Sequence, residues 1–272
     1  MPEREAGALT KKALRSCLSE RIASGVARVP VGACKTMPLF LAKRASHLTE
    51  AMDGPDCDPA LLERSYHQFR AVNGLLSRSR FVYKRFIRPL MSDRGRGYSL
   101  LDIGFGGGDI ARGLARWAQR DGLDLCVTGI DIDPRAYTYV QRFPQSPKLS
   151  FRLADVTTLV ARGERFDFVL SNHVLHHLDA PGLQAMLDAA QALGARVVVF
   201  NDIRRSALAY LGFWLLTAVA FRRSYIRQDG LISIRRSYTA KELRARVPAG
   251  WEVLRAMPFR LLLIHRGARE SA

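Results

Sequence analysis

Four acidic residues, a cluster of glycines and three histidines in the middle of the chain carry its potential chemistry. The stretch LLDIGFGGGDIARGLARW, Leu100 to Trp117, places four glycines in five positions between an apolar run and a helix-like pattern. Glycine at that density marks a tight turn or a backbone that something approaches closely. Read from Gly104, the dinucleotide fingerprint GxGxxG finds Gly104 and Gly106 but then Asp109, so it fails at its last glycine. What stands instead is DxGxGxG, made of Asp102, Gly104, Gly106 and Gly108. An acid at the strand end is a poor neighbour for pyrophosphate and a good acceptor for an ammonium group. The expected ligand therefore carries a cation near this loop.

A second acid falls where ribose recognition needs one. Asp131, in GIDIDP, follows Gly104 by 27 residues, and a carboxylate there accepts hydrogen bonds from both hydroxyls of a ribose. Asp155, in LADV, suits an adenine amino group while Val156 offers its backbone N–H, and Ile132, Asn172 and His173 complete the expected lining. Adenine, ribose and an amino-acid ammonium without phosphate specify S-adenosylmethionine.

On these residues the sequence resembles the class I S-adenosylmethionine-dependent methyltransferases. LLDIGFGGGD, GIDIDP, LADV and FDFVLSNHVLHHL match that superfamily's successive motifs in order, over roughly residues 98–203. The resemblance implies that Asp102, Gly104, Gly106 and Gly108 shape the methionine end and that Asp131 holds the ribose. It likewise implies that Asp155 and Val156 meet the adenine and that Asn172 lies near the methionine moiety. FRAVNGLLS, Phe69 to Ser77, and VLHHL, Val174 to Leu178, are similar to the methyltransferases of ubiquinone and menaquinone biosynthesis and their natural-product relatives. Residues 1–60 and 206–238, the kind of region that chooses a substrate, lie outside this likeness.

Methyl transfer needs a nucleophile held in line, desolvated and, if it is a hydroxyl, deprotonated. His173, His176 and His177 share one face if a helix starts at Asn172, and imidazole has the unperturbed pKa suited to a base near neutrality. His176, with His177 as second choice, is the expected general base. Asp202, which should emerge beside the fourth strand, is its expected orienter. The same histidines can equally cap a helix or pack under the cofactor, with catalysis by positioning alone. No metal site is expected. Tyr66, Phe69, Phe213, Trp214 and Tyr225 are the candidate acceptor lining, which Arg204 would make partly cationic.

Positioning these residues requires strands that alternate with helices. SLLDIG, LCVTGIDI, LSFRLADV, FDFVLSN and RVVVFNDI read as strands separated by helical stretches; WEVLRA and FRLLLIHR read as a closing hairpin with Pro258 in its turn. The expectation is an α/β, doubly wound, mostly parallel seven-stranded sheet of the Rossmann-like kind, with the ligand beyond the carboxyl ends of the strands. Residues 1–91 read as a helical extension or lid, with a helical stretch from about Ala60 to Met91. Residues 92–272 are the cofactor-binding domain, with a helical insertion at 206–238. The most apolar run, Ala207 to Phe221, has 15 residues where a bilayer-crossing helix needs about 20, so it reads as a buried lid helix, with an interfacial element as the alternative.

The net charge of +17 invites a polyanion. Yet residues 101–200 hold 10 basic against 11 acidic residues, and arginine supplies 35 of the 42 basic ones, which fits biased arginine codon usage. An RNA methyltransferase would use the same cofactor, but Ser171 to Val174 lack the Asn/Asp-Pro-Pro-aromatic loop of amino-methylating enzymes. A non-catalytic cofactor-binding partner protein is the third reading. Cys17, Cys34, Cys57 and Cys126 show no metal-finger spacing, and the N-terminus resembles no secretory signal, so a reduced, cytoplasmic protein is expected. The favoured reading is methyl transfer to a small molecule, aromatic or polyketide-like, most simply at a phenolic hydroxyl in secondary metabolism or quinone-like synthesis. No nucleic-acid partner is expected; peripheral membrane contact and a homodimer stay open.

Overall fold

The order of elements follows from where apolar runs give way to capping residues. The structure is a computed structural model that describes residues 38–267 apart from Gln145 and Arg222, all within one unit, Pro38–Ala272. The helices expected before residue 38, with Cys17 and Cys34, lie outside the described residues.

A one-turn helix α1 (Leu39–Ala42) and a 3-10 turn (Ala51–Asp53) precede α2 (Pro59–Leu76). Asp58 caps α2 by accepting from the Ala60 N–H at 2.7 Å, and Pro59 takes the first helical position, where its missing N–H costs nothing. The helix expected to run on to Met91 is broken at Arg78, which turns left-handed with φ 58°. Beyond it lie α3 (Ser79–Val82), a π turn (Tyr83–Ile87) and a 3-10 turn (Arg88–Leu90). At the break the Ser77 hydroxyl accepts the Ser79 N–H at 3.3 Å, which starts the next turn.

The alternation then runs β1 (Tyr98–Ile103), α4 (Asp109–Arg120), β2 (Leu125–Asp131), α5 (Pro134–Gln141), β3 (Leu149–Leu153), α6 (Val156–Ala161), β4 (Phe168–Asn172), α7 (Ala180–Ala192) and β5 (Val197–Ile203). After it come α8 (Ala207–Val219), α9 (Ile226–Arg236), α10 (Ala240–Arg244), β6 (Trp251–Ala256) and β7 (Arg260–Arg266). The sheet order is β3-β2-β1-β4-β5-β7-β6, parallel from β3 to β5 and antiparallel where β7 enters between β5 and β6. Strand β4 is buried along its whole length, as a parallel strand covered on both faces must be. Phe168 and Val199 pack toward one helical layer, Val169 and Phe200 toward the other. Strand order reverses between β1 and β4, so a crevice opens at the carboxyl ends of β1, β2, β4 and β5.

Helix α8 departs from the buried lid helix read from its composition. Only Ala209 and Thr217 are buried, while Leu208, Trp214, Leu215 and Val219 face outward. Helix α8 lies over α9 and meets Phe40 of α1 through Tyr210, with ring centroids 5.2 Å apart, and those contacts leave its other side uncovered among the described residues. Among the described residues no helix is long and apolar enough to cross a membrane.

Candidate active site

A cavity of about 1190 Å³ occupies the crevice, more than a single drug-sized ligand requires. One end is built by the loops after β1, β2 and β3. Gly104 (φ 75°) donates its N–H to Ile130 O at 2.8 Å, and a Cβ there would lie 2.7 Å from Val174 Cγ2, so this turn admits only glycine without rearrangement. Asp131 Oδ2 accepts the Gly106 N–H at 2.9 Å and Oδ1 accepts that of Asp133 at 3.0 Å, which ties the end of β2 to the glycine loop. Helix α2 lies across that loop: Asn73 Nδ2 donates to Asp109 at 3.2 Å. Asp102 is buried, and its Oδ2 has no hydrogen-bond partner. Burial first, and the nearby charges of Asp109 and Asp131 second, push its carboxyl well above the usual range. Burial also raises Asp131. Asn172 Oδ1 accepts from Asn201 Nδ2 at 2.7 Å, and its own Nδ2 is unpartnered. Asp155 caps α6 by accepting the Thr157 N–H at 2.7 Å and still lines the cavity, as do Ile132 and Val156. Gly108 does not line it; its position at the head of α4 is closed in by Phe151 and Val140.

The other end is capped by α2, α8 and α9. Phe69, Phe213 and Leu216 line it, together with His173, His176 and His177, whereas Tyr66 lines the cavity against Gly107 of the glycine loop. Trp214 and Tyr225 do not. Trp214 is turned outward, with the Arg227 guanidinium 5.8 Å from its ring, and the Tyr225 hydroxyl accepts the Asp58 N–H at 2.7 Å. The cation on the wall is also different from the one expected: Arg204 stacks at 5.7 Å on Phe259, whereas the buried Arg260 lines the cavity and donates to Asn201 Oδ1 at 2.9 Å.

The histidines are not on an α-helix starting at Asn172. His173 is left-handed (φ 60°) and only Leu175–His177 form a single 3-10 turn, yet the rings stay close, with centroids 4.2 Å apart for His176 and His177 and 6.3 Å for His173 and His176. His173 Nε2 meets Arg260 Nη1 at 3.3 Å, and burial with that neighbouring cation lowers its pKa well below the ordinary value. His176 engages both carboxylate oxygens of Asp202: its N–H donates to Oδ2 at 2.8 Å and its Nδ1 sits 2.8 Å from Oδ1, which also accepts the Ile203 N–H at 2.6 Å. Its Nε2 lies 3.3 Å from Glu50 Oε1. Burial alone would lower the His176 pKa, but Asp202 and Glu50 outweigh it and raise it to about 9. Asp202 thus stands at Nδ1 as the expected orienter, while Nε2 faces Glu50 without an aligned hydrogen bond. His177, 30% exposed, places Nδ1 3.2 Å from Asp53 and Nε2 3.8 Å from Glu50.

Glu50, Asp53, Asp229 and Arg260 are the residues that sequence reasoning missed. Asp229 accepts the N–H groups of Ala51 and Met52 at 2.8 and 2.9 Å and so fixes the turn carrying Glu50 and Asp53; burial raises its pKa to about 6. An arginine heading the apolar run Leu261–Ile264 was the one available signal, and it pointed to Arg260.

The sheet order, the glycine loop after β1 and the acids after β1, β2 and β3 define the class I S-adenosylmethionine-dependent methyltransferase fold. Residues 100–196 match the family described as a methyltransferase domain. Over 116 residues it is 32% identical to the ubiquinone biosynthesis O-methyltransferase of Methylobacterium sp. (strain 4-46), covering 42% of this chain and 45% of that one. The chain thus spans less than half the length of the curated relatives it matches. Its fold is similar to that of the plantazolicin methyltransferase BpumL in complex with a triazolic desmethylPZN analogue and SAH (TM-score 0.53, 13% identity, 80% of this chain and 93% of that one). It is also similar to human N-acetylserotonin methyltransferase in complex with SAM (TM-score 0.53, 13% identity, 78% and 57%). At these identities the likeness is one of fold.

Proposed function

We propose that the protein transfers a methyl group from S-adenosylmethionine to a small molecule, at a phenolic or polyketide-type hydroxyl. The observation that carries this reading is one cavity with two chemically different ends. At the first, Asp102 Oδ2 and Asn172 Nδ2 are buried polar atoms without partners beside a glycine loop, which suits a ligand bringing an ammonium and a carboxylate. At the second, aromatic and aliphatic walls surround Glu50, His176 and His177.

Asp102 would accept from the cofactor's ammonium group and Asp131 from its ribose hydroxyls. Asp155 and the Val156 N–H would meet the adenine, with Ile132 beside them, and His173 would follow Asn172 toward the methionine end. When bound, S-adenosylmethionine supplies a methyl group made electrophilic by its sulfonium. The chain's own part is to hold the acceptor in line, exclude water with Phe69, Phe213 and Leu216, and stabilise the hydroxyl oxygen as its proton leaves. Glu50, His176 and His177 are the polar groups placed for that stabilisation, with Asp202 orienting His176. The identity to a ubiquinone O-methyltransferase and the fold shared with natural-product enzymes support a small-molecule acceptor. The outward apolar face of α8 supports peripheral membrane contact near a greasy acceptor.

Incubation with methyl-labelled S-adenosylmethionine and a lysate of the host organism tests the reading. Protein-dependent label in the organic extract is the expected result. Label confined to RNA would overturn it in favour of a nucleic-acid methyltransferase, and cofactor binding without label in any fraction would favour a non-catalytic partner protein.

A further inference from the structure

Two segments far apart in sequence converge on one point of the cavity wall. His176 presents Nδ1 to Asp202 at 2.8 Å and Nε2 to Glu50 Oε1 at 3.3 Å. His177 repeats the pattern, with Nδ1 3.2 Å from Asp53 and Nε2 3.8 Å from Glu50 Oε1. Each imidazole thus has a carboxylate on its outer nitrogen and the shared Glu50 on its inner one. The two inner nitrogens and a Glu50 oxygen all lie within 4.8 Å of one another.

His176 Nε2 is buried and close to Glu50, yet the pair lacks the alignment of a hydrogen bond. Ligands of one ion aim at a common point between them and not at each other, so near but misaligned polar atoms are its geometric signature. With metal–ligand distances of about 2.1 Å and tetrahedral angles, neighbouring ligand atoms are about 3.4 Å apart. The observed 3.3 and 3.8 Å bracket that spacing.

We propose that Glu50, His176 and His177 bind one divalent first-row transition-metal ion, with Asp202 and Asp53 orienting the two imidazoles from behind. Two imidazole nitrogens and one carboxylate oxygen are the donor set of zinc and its neighbours and not of calcium or magnesium. A carboxylate on the far nitrogen of a ligating histidine fixes its tautomer and raises its basicity. The site is braced on every side. Ser233 Oγ donates to Glu50 Oε1 at 2.8 Å, Asp229 pins the turn after Glu50, and Arg44 Nη2 donates to the His176 carbonyl at 2.7 Å.

Three protein ligands leave coordination positions open, and all three residues line the acceptor end of the cavity. Resting on the function proposed above, the ion in this orientation binds the acceptor hydroxyl and stabilises its oxygen anion. The hydroxyl proton passes to solvent water, the oxygen forms the new C–O bond, and the C–S bond breaks with its electron pair retained by sulfur. The sulfonium's positive charge is balanced by the released proton.

Chelator-stripped full-length protein, titrated with Zn²⁺ by calorimetry and with Co²⁺ by visible absorption, tests the site, with circular dichroism as the fold check. One ion per chain is expected, with a Co²⁺ d–d spectrum that disappears in His177→Ala and in Glu50→Gln. Asp53→Asn should weaken binding about 10- to 100-fold, and His47→Ala, at an exposed histidine, should leave it unchanged. A folded, cofactor-binding protein that takes up no ion overturns the inference, as does a Co²⁺ spectrum unchanged in folded His177→Ala and Glu50→Gln. Ion binding lost in those variants, with no methyl transfer to any acceptor, supports the metal site and counts against the proposed reaction alone. Full methyl transfer by protein with no bound ion does the reverse.

Discussion

The two ends of the cavity use the same residue type in opposite electrostatic states. At the cofactor end, Asp102 and Asp131 are buried with no side-chain cation beside them, and their carboxyls are pushed up. At the acceptor end, Glu50, Asp53 and Asp202 are also partly or fully buried, but imidazoles face them and more than offset that burial, so their carboxyls are held down. The first end lacks a positive partner that a ligand's ammonium would bring. The second carries its counter-charges within the fold, so it is preorganised before any acceptor arrives.

That contrast makes the ends separable by mutation. The largest effect is expected at the acceptor end: His177→Ala should lower kcat by about 100-fold or more while leaving the Kd for S-adenosylmethionine within about twofold. Steady-state kinetics with calorimetry check this, and equal losses in both quantities would mean that the ends are not independent. Asp102→Asn should do the converse, weakening cofactor binding about 10- to 100-fold, since a charge-assisted hydrogen bond contributes about 1.5–3 kcal/mol, with the acceptor KM unchanged.

The pH dependence sharpens the same distinction. Because the Asp102 carboxyl is raised in the folded protein, it binds a proton more tightly than in the unfolded chain. Its contribution to stability is therefore fullest at low pH and is lost as pH rises through its folded pKa. An ammonium ligand favours the ionised form, so cofactor affinity should fall as pH drops below that pKa. Binding near it should release a proton, readable as a buffer-dependent calorimetric enthalpy.

Smaller effects follow. Gly104→Ala combines a left-handed φ with a contact 2.7 Å from Val174 and should cost about 1–3 kcal/mol in denaturant unfolding. Leu215→Ser on the outward face of α8 should change stability by no more than about 0.5 kcal/mol, while lowering retention on anionic vesicles if that face meets a membrane.

The cofactor end was legible because its parts are local. A strand, a glycine turn and a helix sit together in Leu100–Trp117, and each later acid lies within a few residues of its own strand end. Backbone constraints at Gly104 and the alternation of strands and helices are short-range properties, and they leave their mark in the order of residue types. Even there, the tertiary structure added one detail: Gly108 is packed against Phe151 and Val140 behind the loop and is not part of the cavity lining.

The acceptor end was legible only in fragments. His176 and Asp202 were paired by the rule that β4 and β5 are neighbours, and their ring-to-carboxylate distance is 2.8 Å. The helical face expected of the three histidines dissolved when His173 turned left-handed. Glu50 carried no signal at all, because what brings it to the histidines is a turn held by Asp229 and an arginine, Arg44, that binds the carbonyls of His176 and Leu178. Those contacts join residues more than a hundred positions apart. The sequence by itself thus determined the sheet, its switch point and the chemistry of the first ligand. Only the tertiary structure decided which charges meet at the second, since side-chain convergence across distant loops depends on packing that no local pattern encodes.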